Sequence, residues 1–521
     1  MLSNDKNSQN TDEKSVSINH EETHAGDACE VELTNELNDV AKTQTGDACE
    51  VELTNELNDV AKTQTGVACR KNDELTIEIE DVTLKGDGVG KINGFVVFVP
   101  GSFTGDILKI HIVKVEKSLA RAKIVEILTS SPFRIDVDCE CFSQCGSCVF
   151  RHISYDAELK LKQKIVKDTF QRIGSINAEI LPIIASEQNY YRNKVSYPVG
   201  IVDGKVVFGF YARHSNRIVE HKHCFVQNEV FYNIAKEIVD YCNERKISNL
   251  RHIVIRQGHY SKELSVCLVV SSKTAAFEDL RIPHTLNINK SQSNVIFGEK
   301  FVGESIVTDI ICGNKVFLTP DSFYQINTAG AEKLYEVVKN FAEPNKDTTI
   351  LDLYCGVGTI SMYLAKYAKN VIGVESVKNA VKNAKRGKYA NNIENVEFFH
   401  KDVKDFSFVT GNPTDTQLSS TSDPRLSTNS SEISINDPNL STINYQLSTI
   451  LDPPRTGCNC IAQIAEMKPH RIVMVSCDVA TAARDCALFQ KHGYKVEKIQ
   501  PVDMFPRTGN VETVIQLTIG S

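Results

Sequence analysis

A chain of 521 residues is too long for a single hydrophobic core and points to three or four units. The formal charge of −8 argues, taken whole, against a nucleic-acid partner, but it is unevenly spread: residues 1–70 hold 5 Lys and Arg against 15 Asp and Glu, leaving 53 basic and 51 acidic groups in the rest. Sixteen cysteines behind a polar start with no signal peptide exclude a disulfide-framed secreted scaffold, and no apolar run approaches the roughly eighteen residues of a membrane span, so the expectation is a cytoplasmic monomer without membrane contact.

From Gly26 a twenty-residue unit, GDACEVELTNELNDVAKTQT, occurs twice unchanged, and a third copy breaks off after Gly66-Val67-Ala68-Cys69. Two copies are fewer than a stacked repeat needs, so residues 1–72 read as a disordered acidic arm. Residues 73–132 change character. Glu74 to Glu80 alternate like a strand, glycine turns follow at Gly86-Asp87-Gly88 and Asn93-Gly94, and further strands are predicted at Phe95–Val99, Ile107–Val115 and Ala120–Ile127. Short strands at this density predict a small barrel of OB type. Through Gly86-Asp87-Gly88-Val89-Gly90 and Phe98-Val99-Pro100-Gly101 the segment resembles the TRAM domain, an RNA-binding barrel.

The third unit, residues 133–320, opens with four thiols in ten residues: Cys139, Cys141, Cys145 and Cys148. That density points to a metal, and two spacings compete. Cys141-x3-Cys145-x2-Cys148 has the spacing of a radical-SAM cluster, whereas Cys139-x5-Cys145-x2-Cys148 with a distant fourth thiol, Cys224 being the candidate, would close a cluster with no open iron. A helix is predicted over Asp156–Ile173, with Leu159, Ile165, Val166, Phe170 and Ile173 as its apolar positions and Lys160, Lys162, Lys164, Lys167 and Arg172 on a solvated face. Tyr190 to Lys194 and Arg213 to Arg217 mix basic, aromatic and amide groups that suit phosphate and base contacts.

Residues 321–521 alternate strand and helix. The strand Thr348–Tyr354 meets a tight turn, Cys355-Gly356-Val357-Gly358, and then a helix from Thr359; a second strand ends at Glu375 and a third near Asp402. The pattern predicts an α/β fold with a doubly wound sheet, and an acid at Glu375, 23 positions after Asp352, suits the ribose of an adenosine-containing ligand. A Ser, Thr, Asn, Asp and Pro-rich stretch at 407–446 reads as a surface insertion. The sheet resumes at Leu447 and delivers Asp452-Pro453-Pro454-Arg455. The apolar run Ile472–Val475 then ends at Ser476-Cys477-Asp478, with Asp478 as the predicted cap of a helix. A thiol between a strand's carboxyl end and a helix's amino end is placed to act as a nucleophile, and the helix terminus favours its thiolate.

Taken together and in order, Asp352-x-x-Cys355-Gly356-x-Gly358, Asp452-Pro453-Pro454-Arg455, Ser476-Cys477-Asp478 and Phe505-Pro506-x-Thr508-x-x-Val511-Glu512-Thr513 resemble the RNA uracil-C5 methyltransferase family, in particular its 23S rRNA branch with a TRAM domain and an iron-sulfur cluster. The resemblance runs from about residue 73 to the end, apart from the insertion. It implies a class I methyltransferase domain that uses S-adenosylmethionine, with Gln325, Tyr354, Thr359, Glu375, Asp402 and Asp452 contacting it. Cys477 would be the nucleophile that adds to uracil and Glu512 the general base. The resemblance also assigns Cys139, Cys145, Cys148 and Cys224 to a [4Fe-4S] cluster, leaving Cys141 spare. The implied partner is RNA, 23S rRNA before tRNA. A radical-SAM enzyme and a non-catalytic RNA-binding protein are the competing readings.

Overall fold

The computed structural model describes residues 60–62 and 68–520 except 274, 292–294, 299 and 407–445, so most of the acidic arm and nearly all of the expected insertion lie outside the described residues. Val60–Lys62 pairs antiparallel with Ala68–Arg70, and Cys69, expected to belong to the arm, is buried in the core of the next unit.

That unit is a closed barrel. Its strands run in the order Glu74–Glu78, Ile107–Val115, Leu119–Thr129, Phe95–Pro100, Asp87–Ile92 and Asp81–Val82. The first and last of these are consecutive pieces of one stretch, 74–82, which pairs on one side with Ile107–Val115 and on the other with Asp87–Ile92. Both edges of the sheet are therefore covered by the same chain, which removes the open edges an isolated small sheet would expose. Alternation does the rest: in Phe95–Pro100 the residues Phe95, Val97 and Val99 are buried and their neighbours are not.

The central unit builds a six-stranded sheet, ordered Lys205–Phe208, Lys194–Val202, Leu250–Gln257, Leu264–Val270, Thr285–Ile288 and Lys300–Val302. Helix Glu229–Arg245, capped by the Asn228 side chain on Val230 N, covers its core. Of the mixed cluster at 190–194, Tyr191 and Asn193 turn inward and only Tyr190 is strongly exposed, so this stretch is chiefly internal.

Helix Tyr155–Gly174 starts at Ser154, whose side chain accepts from Ala157 N. Its core face carries Val166 and Phe170 as the periodicity predicts, but Ile173 is 45% exposed and Lys162, predicted on the solvated face, is fully buried. Among the described residues no helix is long and apolar enough to cross a membrane.

The last unit holds an eight-stranded sheet whose seven principal strands are β1 (Thr348–Leu353), β2 (Asn370–Glu375), β3 (Val396–His400), β4 (Gln446–Leu451), β5 (Arg471–Ser476), β6 (Tyr494–Val502) and β7 (Glu512–Ile519). They lie in the order β3-β2-β1-β4-β5-β7-β6, with the short strand Glu179–Ile180 added beyond β6. The neighbours among β1 to β5 are parallel, and β7 runs antiparallel to both β5 and β6. All of β1 is buried, as a strand covered by helices on both faces must be.

Candidate active site

Strand direction gathers the candidate residues. Because β1 to β5 are parallel, their carboxyl ends share one edge of the sheet, where ligands of such folds bind. Tyr354 follows β1, Glu375 ends β2, Asp402 lies two residues past β3, Asp452 follows β4 and Cys477 follows β5. Strand β7 runs the other way, so its first residue, Glu512, reaches the same edge. The last ladder pair between β5 and β7 is Ser476 with Thr513, and Thr513 Oγ1 donates to the Ser476 carbonyl at 3.2 Å. One residue further on, Cys477 and Glu512 stand opposite each other.

The turn after β1 is shaped by backbone. Tyr354 holds φ +64°, Gly356 +55° and Gly358 +77°, and a Cβ on Gly358 would lie 2.5 Å from the Phe398 ring. The Glu375 carboxylate accepts Gly356 N at 3.0 Å and Val377 N at 2.7 Å, which fixes it across the mouth of this turn. Asp402 caps the short turn Val403–Asp405 by accepting Lys404 N at 3.1 Å. The Tyr354 hydroxyl donates to Asn459 Oδ1 at 3.4 Å. Thr359 is buried with its Oγ1 2.7 Å from the Tyr335 hydroxyl. Gln325 is buried in the loop before helix Thr328–Ala342, where its carbonyl accepts from Asn193 Nδ2 at 2.9 Å.

The Asp478 side chain accepts Thr481 N at 2.8 Å and caps helix Val479–Lys491, which leaves Cys477 in the bend between strand and helix. The expectation that this place favours the thiolate is not met. Burial, then the charge of Glu512, push the Cys477 thiol up to about 12, with Asp452 adding to the rise and the Arg455 guanidinium opposing it as charge and hydrogen-bond partner. Burial and then Asp452 push the Glu512 carboxyl up to about 8, again against Arg455, and Asp452 itself is pushed to about 7 by burial and Asp352. Three acids and one thiol thus crowd a cleft in which Arg455 is the cation acting on both Cys477 and Glu512. Arg455 was visible in its motif, but nothing in the spacing reveals that it faces the sulfur.

The five clustered thiols, Cys139, Cys141, Cys145, Cys148 and Cys224, are all free. Among the described residues no three His, Cys, Asp or Glu are placed to hold a metal ion, so the four-thiol centre expected from the resemblance is not a formed metal site in this structure. These thiols are not placed to share a single ion, whereas a four-iron cluster asks each thiolate to bind a different iron. They are nevertheless neighbours. Burial and then Cys224 push Cys148 up to about 12, with Cys145 adding to the rise; Cys224 is pushed to about 11 by burial, with Cys145 and Cys139 contributing. The Arg192 guanidinium lies beside both and opposes each rise. This set of thiols with a cation at hand fits the anionic ligation of an iron-sulfur cluster. Cys141 differs in that its thiol donates a hydrogen bond to the Glu220 carbonyl at 3.4 Å.

Comparison with known proteins gives two family matches. Residues 154–519 match the model described as tRNA (Uracil-5-)-methyltransferase, and residues 70–125 match the TRAM domain. An uncharacterized RNA methyltransferase of Clostridium tetani is 34% identical, the match covering 86% of this chain and 97% of the relative. One of Halalkalibacterium halodurans is 35% identical over 86% and 98%. The crystal structure of Pyrococcus abyssi tRNA (uracil-54, C5)-methyltransferase in complex with S-adenosyl-L-homocysteine superposes with a TM-score of 0.64 at 25% identity, covering 85% of this chain and 99% of that one.

Proposed function

This chain belongs to the tRNA (uracil-5-)-methyltransferase family, whose members are S-adenosylmethionine-dependent RNA methyltransferases, and from that premise we propose that it methylates carbon 5 of a uridine in 23S rRNA with Cys477 as nucleophile and Glu512 as base. The observation that carries the reading is the meeting of Cys477 and Glu512 at the end of the β5–β7 ladder, on the edge that also holds Tyr354, Glu375, Asp402 and Asp452.

Carbon 5 of uracil is a weak nucleophile. The Cys477 thiol gives its proton to water, the thiolate sulfur bonds to carbon 6, the electrons of the 5,6 double bond move onto the oxygen at carbon 4, and carbon 5 of the resulting enolate takes the methyl group. The methyl donor supplies an electrophilic carbon and leaves as S-adenosylhomocysteine. Glu512 then removes the carbon-5 proton, the double bond reforms, and the thiolate is expelled. Electrostatics order these steps. The Glu512 carboxylate repels the Cys477 thiolate, so the sulfur ionises more readily while Glu512 keeps its proton; Glu512, held up by burial and by Asp452, must lose that proton before it acts as base. Glu375, already aligned by two backbone N–H groups, accepts the ribose hydroxyls of the donor, and Gln325, Tyr354, Thr359, Asp402 and Asp452 complete its site.

The same reading gives Cys139, Cys145, Cys148 and Cys224 to a [4Fe-4S] cluster, supported by their mutual electrostatic influence and by Arg192 beside two of them. When bound it supplies a structural or electron-handling centre, and no step of the methylation passes through it. The second reading is a tRNA target, favoured by the likeness to the Pyrococcus abyssi enzyme.

The test offers 23S rRNA and tRNA transcripts bearing 5-fluorouracil, with the methyl donor. Fluorine at carbon 5 cannot leave as a proton, so the adduct persists, and a gel-stable enzyme–RNA complex is expected with 23S rRNA. Cys477→Ser should form none. Complex formation with tRNA alone moves the target to the second reading, and an unimpaired Cys477→Ser enzyme ends the covalent mechanism.

A further inference from the structure

The methylation chemistry leaves a buried ionic cluster unexplained. Lys162, Glu158 and Asp503 are fully buried and Arg507 is 7% exposed, two charges of each sign in one place. Lys162 Nζ donates to Glu158 Oε1 at 2.7 Å and to Asp503 Oδ1 at 2.8 Å. The second Asp503 oxygen accepts from the Tyr155 hydroxyl at 2.9 Å. Glu158 Oε1 also accepts Arg507 N at 2.7 Å, and its Oε2 lies 3.6 Å from Arg507 Nη1. Removing one member of such a set would strand an uncompensated buried charge.

What the cluster grips is the stretch that runs into Glu512. Four successive carbonyls there are bonded from elsewhere in the chain: Met504 by Asn327 Nδ2 at 2.9 Å, Phe505 by Lys162 Nζ at 3.4 Å, Pro506 by the Tyr191 hydroxyl at 3.1 Å, and Arg507 by Val149 N at 2.9 Å and Phe150 N at 3.2 Å. Arg507 itself holds φ +71°, a left-handed conformation costly for a non-glycine residue, and its guanidinium donates to the Ile153 carbonyl at 2.8 Å. A loop needed only to connect two strands could turn its carbonyls to solvent. This one is fixed atom by atom, and five residues after Arg507 stands Glu512, itself buried.

We propose that Lys162 and Glu158 are positioning residues of the methylation reaction, holding the 503–511 loop so that the Glu512 carboxylate meets the carbon-5 proton. The proposal rests on the reading of Glu512 as base. Its consequence is specific to one step. With the loop loosened, sulfur still bonds to carbon 6 and methyl to carbon 5, but the proton is removed late, the carbon–sulfur bond persists, and methylated RNA stays attached to Cys477.

The experiment uses the full chain with Lys162→Met and with Glu158→Gln, which keeps the side chain's shape, alongside Glu512→Gln. Each is incubated with a uridine-containing 23S rRNA transcript and methyl-labelled S-adenosylmethionine and run on a denaturing gel, with melting followed separately. The two variants are expected to lower kcat roughly ten- to a hundredfold at unchanged KM for the donor, and to accumulate a methyl-labelled enzyme–RNA band absent from the wild type. If Glu512→Gln traps RNA and the folded variants do not, the inference is wrong while the base assignment stands. If Glu512→Gln traps none, the base assignment fails and the inference with it. Should Lys162→Met not fold, Glu158→Gln alone decides between these outcomes.

Discussion

At the scale of single residues the cleft is governed by like charges brought close. Glu512, pushed up to about 8, is largely protonated at neutral pH and cannot then accept a proton, so kcat/KM is expected to climb as pH rises through about 8, measured as initial methylation rates across pH 6 to 9.5. Cys477 responds to its neighbours in the same sense, raised by the acids and lowered by Arg455. Replacing Glu512 by Gln removes a negative charge beside the sulfur and lowers the thiol's pKa, whereas Arg455→Ala removes the opposing cation and raises it. Because the thiolate is the reacting form, alkylation of Cys477 by iodoacetamide at pH 8 should speed up in the first variant and slow in the second, with a tenfold change in thiolate population corresponding to about 1.4 kcal/mol. Equal rates in both would mean that neither side chain acts on the sulfur. The residues of Asp452–Arg455 and Ser476–Asp478 could be singled out from their motifs; their mutual charge coupling was not legible, because it depends on burial and on the pairing of strands 36 residues apart.

At the scale of elements, turns and caps were readable and long-range burial was not. Asp478 caps its helix and the glycine turn follows β1 as the local pattern predicts, since both depend on residues within four positions of each other. Gly358 illustrates what such a turn demands: at φ +77° and with the Phe398 ring where a Cβ would sit, Gly358→Ala is expected to cost roughly 1–3 kcal/mol in urea unfolding and to weaken S-adenosylhomocysteine binding measured by calorimetry. Retained affinity and stability would show that the turn can relax. Helix Tyr155–Gly174 marks the limit of local reading. Its periodicity gave Val166 and Phe170 correctly, yet Lys162 is buried because Asp503, more than three hundred positions away, arrives beside it.

At the scale of the whole molecule, a barrel, a central sheet and a methyltransferase sheet are joined by contacts that converge on one loop: a Cβ on Gly509 would meet the Leu84 carbonyl at 2.0 Å, and Val149 and Phe150, just past Cys148, bond the Arg507 carbonyl. The residues just past the cysteines thus bond the loop that leads into Glu512. After anaerobic reconstitution, Cys139→Ser is expected to lose most of its iron, sulfide and visible absorbance and Cys141→Ser to keep them; the reverse would assign the centre to Cys141, Cys145 and Cys148. By itself the sequence determined the barrel, the doubly wound sheet and the RNA methyltransferase family, because alternation, turns and ordered motifs are properties of neighbours along the chain. Only the tertiary structure decided that the Cys477 thiol is held high rather than low, that Arg455 acts on it, and that Lys162 and Glu158 are locked under the loop that leads into Glu512, since burial and charge coupling exist only once distant segments exclude water together.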